Sequence, residues 1–267
     1  MAIGAAFGSN LFNLMIIGLW DILWVNRYIL NHVGMSSVVI GILGIVVMGL
    51  ATIGIYFHSV IETFATWYLS PVSILLLIVF VLAMYSIYRF DKLHKSSELT
   101  DAEDRYANHS LPKAVVTYLV AASIVIGAAI WLSTIGDHMT DLLGWDESFM
   151  GTQFLAAATS LPELATSIVA IRILAPELAI TNLLGSNLFN MGFVLFLNDA
   201  AHSGAPIWEV TSQIHILTAT MSLLMTAIVV LAVVNQPRAN RPGPITLESM
   251  LLIGFYVVAS FLVFQLG

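Results

Sequence analysis

The sequence predicts an all-α, polytopic membrane protein with eight spanning helices and an inverted-topology repeat, and three observations carry that prediction. Hydrophobic residues fill 59% of the 267 positions and charged residues only 9%, with a mean hydropathy of +0.93, which no soluble domain of this size sustains. The nine Lys and Arg all fall on one side of the helices so counted. The hexapeptide GSNLFN occurs twice, at 8–13 and again at 185–190.

A hydrocarbon layer about 30 Å thick takes roughly 20 apolar residues of helix to cross. Runs of that kind lie at 1–20, 37–57, 70–90, 112–133, 149–174, 177–198, 212–234 and 245–266. The opening MAIGAAFGSN has no basic start followed by a cleavage site, so it reads as part of the first helix rather than as a signal peptide. With no cysteine in the chain, disulfides and thiolate metal sites drop out.

Arg27 follows the first run, while Arg89, Lys92, Lys95, Arg105 and Lys113 border the connection between the third and fourth. Arg172 ends the fifth run, and Arg238 and Arg241 lie between the last two. The alternate connections, at 58–69, 134–148 and 199–211, contain neither Lys nor Arg. Cytoplasmic loops retain basic residues, so the basic side is expected to be cytoplasmic and both termini external. The charged stretch 91–112 reads as a cytoplasmic linker with some helix, dividing three helices at 1–90 from five at 113–267. Asp137, Asp141, Asp146 and Glu147 are read as solvated loop acids; the alternative is that they concentrate cations at an outer mouth.

The two GSNLFN copies fall on helices that this charge bias points in opposite directions. Such a pair marks an inverted repeat, the architecture in which ion sites form near the midplane where the repeats meet. Ser9 with Asn13, and Ser186 with Asn190, are four residues apart and share a helix face. Asn10 and Asn187 point elsewhere and are expected to bond between helices. Gly8 and Gly185 admit a close neighbour, so pure helix packing is the competing reading of the motif.

Glu163 shifts the balance toward ion binding. An acid at the centre of a membrane helix costs about 2.5–3.5 kcal/mol on insertion scales and as a rule faces protein or water. Pro162 cannot donate a backbone hydrogen bond and so frees carbonyls in the turn before it, where Thr159 and Ser160 add hydroxyls. Oxygen ligands without His or Cys suit Na⁺ or Ca²⁺ rather than zinc or copper. A buried Glu paired with Ser or Asn for packing alone is the other reading. An enzyme is disfavoured: the chain shows no nucleophile–base pair and no phosphate loop, and His32, His58, His94, His109, His138, His202 and His215 are scattered. Nothing in it points to nucleic acid.

ATSLPE at 158–163 and TNLLGSNLFN at 181–190 resemble the alpha-repeats of the cation/Ca²⁺ exchanger superfamily, in particular prokaryotic Na⁺/Ca²⁺ exchangers. Their repeat joins a G-T-S-x-P-E helix to a G-N-x-x-G-S-N-x-x-N/D helix. The resemblance implies ten membrane helices in two inverted halves and antiport of Na⁺ against Ca²⁺ by alternating access across a prokaryotic cytoplasmic membrane. It implies the lipid bilayer as surroundings and no cofactor beyond the transported Ca²⁺ and Na⁺. It also implies Glu163 as the shared ligand, with oxygens from Thr159, Ser160, Ser186 and the Ala156 carbonyl. Asn190 would face the site, and Ser9 and Asn13 would be the matching positions of the first repeat. The chain departs from the pattern at Ala158, Thr181 and Ala5. The first repeat's own glutamate would fall before residue 1, so the chain is expected to be the C-terminal eight-helix part of such a protein, N-terminally incomplete. With one carboxylate facing a divalent ion, that part alone is expected to hold Ca²⁺ poorly. Ca²⁺/H⁺ or Na⁺/H⁺ exchange, and a non-transporting remnant or accessory protein, are the alternatives.

Overall fold

The computed structural model describes residues 1–24, 28–60, 68–94, 110–235 and 245–266, and its regular elements are all helical. The helices are α1 (Ala2–Leu23), α2 (Met35–Val60), α3 (Pro71–His94), α4 (Leu111–Leu143), α5 (Glu147–Thr159), α6 (Leu161–Arg172), α7 (Pro176–Ala201), α8 (Ile214–Asn235) and α9 (Leu247–Leu266). Among the described residues seven are long and apolar enough to cross a membrane, and α5 with α6, bent by 40° where they join, makes an eighth when the pair is counted as one span. Two short 3-10 turns, Ile29–His32 and Ile207–Val210, follow α1 and α7.

These elements coincide with the eight apolar runs, with one correction. α4 continues well past 133 and stops only at Gly144, whose φ of 63° is the left-handed conformation that ends helices. Asp137 and Asp141 therefore lie on a helix rather than in a loop. Asp146 caps α5, its carboxylate accepting the Ser148 N–H at 2.6 Å. Residues 95–109, most of the expected linker, lie outside the described residues, and so do Arg27, Lys95, Arg105, Arg238 and Arg241.

α1 is the axis of the bundle: 72% of its apolar window is buried, against none for α4. Around it Leu11, Leu14 and Ile17 pack with Leu184, Val229 and Leu252 toward one end. Phe7 joins Met48, Leu188, Met191 and Trp208 toward the other. Lipid tails are as apolar as leucine, so membrane helices associate through close packing and hydrogen bonds rather than through a hydrophobic drive. Gly8 shows how close: a Cβ there would lie 2.1 Å from the Thr152 carbonyl oxygen and 2.7 Å from the Ala156 Cβ. Gly192 lets α7 meet α3 in the same way, with 2.4 Å to the Phe80 Cβ.

Substitution should separate these contacts from glycines with room. Gly8→Leu is expected to destabilise the purified protein by at least about 1–3 kcal/mol, the usual range for overpacking. Gly44→Ala, with nothing within 4 Å of the added carbon, should instead raise stability by roughly 0.5–1 kcal/mol through helix propensity. Thermal unfolding in detergent micelles measures both shifts.

Candidate cation site

The site begins with a fault in a helix. Ser160, between α5 and α6, has φ −91° and ψ 3°, and the axis turns there. Two residues on, Pro162 has no N–H to offer the Ala158 carbonyl, so the ordinary helical bond is missing at the bend. A local polar system fills the turn before it. The Thr159 hydroxyl donates to the Leu155 carbonyl at 2.8 Å and approaches that of Ala156 at 3.2 Å. The Ala156 carbonyl also accepts the Ser160 N–H at 3.0 Å. Ser160 is fully buried, and its hydroxyl lies 2.5 Å from that of Ser9 on α1.

α6 and α7 form an antiparallel hairpin, which sets the glutamate against the second GSNLFN copy. The Ser186 hydroxyl donates to Glu163 Oε1 at 2.8 Å, and farther along the hairpin Asn182 Nδ2 donates to Thr166 Oγ1 at 2.9 Å. Glu163 Oε2 is buried with no hydrogen-bond partner. Glu163 makes no ion pair among the described residues. A carboxylate oxygen withdrawn from solvent and left unpaired is costly unless something positive meets it.

The two motif copies meet directly. Asn13 Nδ2 donates to Asn187 Oδ1 at 2.9 Å and Asn190 Nδ2 to Asn10 Oδ1 at 3.1 Å, so the pairing order along α1 opposes that along α7. Asn10 and Asn187 also exchange longer bonds from side-chain amide to main-chain carbonyl, at 3.5 and 3.3 Å. The helices cross antiparallel, with Asn10, Asn13 and Asn187 buried. α1 runs in the same direction as α6, to which it is tied by Ser9–Ser160 and by a 3.0 Å bond from Trp20 Nε1 to the Ser167 hydroxyl.

The structure thus brings Glu163 to Ser186 and Ser160 to Ser9, with Thr159 and the Ala156 carbonyl one turn below. It sets Asn13 and Asn190 against the asparagines of the facing copy. Asn13 Oδ1 remains buried without a partner. Sequence reasoning passed over Thr166, Ser167, Asn182 and Trp20, although Ser167 stands one helical turn beyond Glu163 and the helical spacing could have flagged it. The copies also differ in their surroundings. Gly8 is pressed against α5, whereas nothing lies within 4 Å of a Cβ at Gly185, beside Ser186. Cavities of about 580 Å³, reaching Thr159 and Pro162, and about 480 Å³, reaching Thr166 and Asn182, flank this side of α6.

Chemically, this is a carboxylate with one unpaired oxygen, held by the Ser186 hydroxyl just past a helix break whose preceding turn carries the Thr159 and Ser160 hydroxyls. Such a donor set matches a hard cation. CaxA of Alkalimonas amylolytica is 31% identical over 138 residues, 44% of this chain and 40% of that protein. The sodium/calcium exchanger MaX1 of Methanosarcina acetivorans is 36% identical over 80 residues, 30% of this chain and 23% of that protein. The sodium/potassium/calcium exchanger Nckx30C of Drosophila melanogaster is 30% identical over 151 residues, 52% of this chain and 17% of that protein. The match therefore spans less than half the length of each relative. No solved structure matches the chain. The family model described as sodium/calcium exchanger protein matches residues 113–266, more than half of the chain and the part that holds Glu163, Ser186 and the second motif copy, so the chain belongs to the sodium/calcium exchanger family.

Proposed function

We propose that this chain works in a secondary antiporter that exchanges Na⁺ for Ca²⁺ across a prokaryotic cytoplasmic membrane, with Glu163 as the ligand the two ions share. The observation that carries the reading is the buried, unpartnered Oε2 of Glu163 at a bent and hydroxyl-rich helix break. Family membership and the names of two relatives support it.

In this reading Ser186 holds the carboxylate in place when the site is empty, and turning its hydroxyl would free an oxygen lone pair for the ion. Ser160, Thr159 and the Ala156 carbonyl supply neutral oxygens from below. Ser9 acts through its contact with Ser160, and Asn13 and Asn190 brace the crossing that holds α1 against α7. Ca²⁺ takes six to eight oxygens at about 2.3–2.6 Å, so these groups make part of a shell. One carboxylate balances a single Na⁺ but only half the charge of Ca²⁺. Both ions therefore compete for one group, and binding of one displaces the other, as antiport requires. Residues 1–90 supply three helices of the first inverted half and 113–267 the five of the second, joined by a cytoplasmic linker at 91–112.

Vesicles reconstituted with the antiporter in which this chain works, loaded with Na⁺ and diluted into Na⁺-free medium, should accumulate radioactive Ca²⁺. Uptake that ignores the Na⁺ gradient and follows a pH gradient would assign proton coupling instead. Glu163→Gln should lower the initial rate about 100-fold or more, in line with the roughly 3 kcal/mol lost when one partner of a buried charge pair is removed. Ser186→Ala should cost closer to tenfold, since it removes one hydrogen bond to a charged group, worth about 1.5 kcal/mol. Uptake by Glu163→Gln at the unsubstituted rate would rule the reading out.

A further inference from the structure

Two other carboxylates are more deeply buried than Glu163, and nothing in the proposed transport reaction uses them. Asp21 is 2% exposed near the end of α1, and Asp199 is 0% exposed near the end of α7. Each follows a GSNLFN motif and sits at the opposite end of the bundle from the other, because α1 and α7 are antiparallel.

Their surroundings correspond in plan and differ in one donor. Asp199 Oδ2 accepts the Ser70 N–H at 2.8 Å and the Ser73 hydroxyl at 2.6 Å, and Oδ1 accepts the Ile207 N–H at 2.7 Å. Asp21 Oδ2 accepts the Thr246 hydroxyl at 2.8 Å and the Ser249 hydroxyl at 2.6 Å, and Oδ1 faces the Leu30 N–H at 3.5 Å. In both, the hydroxyl-bearing residues are three apart at the start of a helix: Ser70 and Ser73 at α3, Thr246 and Ser249 at α9. In both, the main-chain donor belongs to a 3-10 turn that follows the motif helix. The carboxylates lie at helix N-termini, where the exposed N–H groups and the helix dipole favour negative charge.

The spacing carries a further detail. Asp21 is thirteen residues after Gly8, but Asp199 is fourteen after Gly185. α7 contains a π-helical turn at Asn190–Val194 that α1 lacks. A π turn takes in one residue beyond the α-helical count, so it returns Asp199 to the register of Asp21 and leaves Asn198 out of it.

We propose that Asp21 and Asp199 are a matched pair of positioning residues that lock the two motif helices to the starts of α9 and α3 at opposite ends of the bundle. Asp21 joins α1 to a helix of 113–267, and Asp199 joins α7 to a helix of 1–90, so the ties run crosswise. Together they fix the depth at which Ser9, Asn10 and Asn13 meet Ser160, Asn187 and Asn190. Through these contacts α1, α3, α7 and α9 move as one body.

The geometry makes the two sites respond differently to the same change. Both oxygens of Asp199 face a main-chain N–H, which can only donate, so an asparagine there must turn its NH₂ toward a donor. Among the described residues Oδ2 of Asp21 faces only hydroxyls, which can accept as readily as donate, so an asparagine fits.

The test uses the full chain, whose lack of cysteine allows spin labels at introduced cysteines. One pair, Leu75 with Val210, reports the Asp199 end, and the other, Leu23 with Met250, reports the Asp21 end; all four positions are exposed. Asp199→Asn should broaden the Leu75–Val210 distance distribution, leave Leu23–Met250 narrow and lower the melting temperature by several degrees. Asp21→Asn should leave both pairs and the melting temperature unchanged, whereas Asp21→Ala should broaden Leu23–Met250 alone. If Asp199→Asn does not accumulate, Ser73→Ala, which keeps both main-chain donors, should broaden Leu75–Val210 to a smaller extent. The proposal is overturned if Asp21→Asn is as damaging as Asp199→Asn or if any variant broadens both pairs alike. It is equally overturned if Leu75–Val210 stays narrow in Asp199→Asn or, where that variant is not obtained, in Ser73→Ala.

Discussion

The organising constraint of this bundle is that amides buried between two membrane helices must find their partners in protein. Lipid offers no hydrogen bond, and each unsatisfied polar group in it costs several kcal/mol. GSNLFN puts two asparagines on α1 and two on α7. Crossing the helices antiparallel lets Asn13 reach Asn187 while Asn190 reaches Asn10. A parallel crossing in the same register would reverse that order and break the exchange. From this crossing follow the central burial of α1, the close approach of α5 at Gly8 and the contact between Ser9 and Ser160.

The proposed cation site depends on the crossing without being part of it. α6 and the break before it are held to α1 by Ser167 and Ser160, and α6 is held to α7 by Glu163 and Thr166. Those ties leave one carboxylate oxygen free where the helix bends. The asparagine network supplies stiffness and the bend supplies unpaired oxygens. The proposed ion exchange needs both, because a shell of fully satisfied groups would have no reason to take a cation.

Much of this was legible from the residues. The apolar runs set the helices, and Glu163 with Pro162 marked the break because a carboxylate and a missing N–H are chemical facts of the sequence. The repeat was legible because its two copies are identical letter for letter. The extent of α4 was not, since Asp137 and Asp141 look like loop residues while a helix end is settled by backbone conformation at Gly144. Asp21 and Asp199 were hidden for another reason. Each lies just past the end of an apolar run, and the π turn shifts one of them by a residue, so aligning the two motif helices without a gap pairs Asp21 with Asn198. Their hydroxyl partners are distant in sequence, and only the folded chain brings them together.

The crossing itself is most directly examined with a double-mutant cycle on Asn13 and Asn187, using alanine at each position and reversible unfolding in mixed micelles. Hydrogen bonds between membrane helices have coupling energies averaging about 0.6 kcal/mol and reaching about 1.7. A bond between two fully buried amides with no water in competition is expected in the upper half of that range. Losses that simply add, within the roughly 0.3–0.5 kcal/mol expected of independent sites, would mean that the two motif copies do not hold each other and would contradict the account.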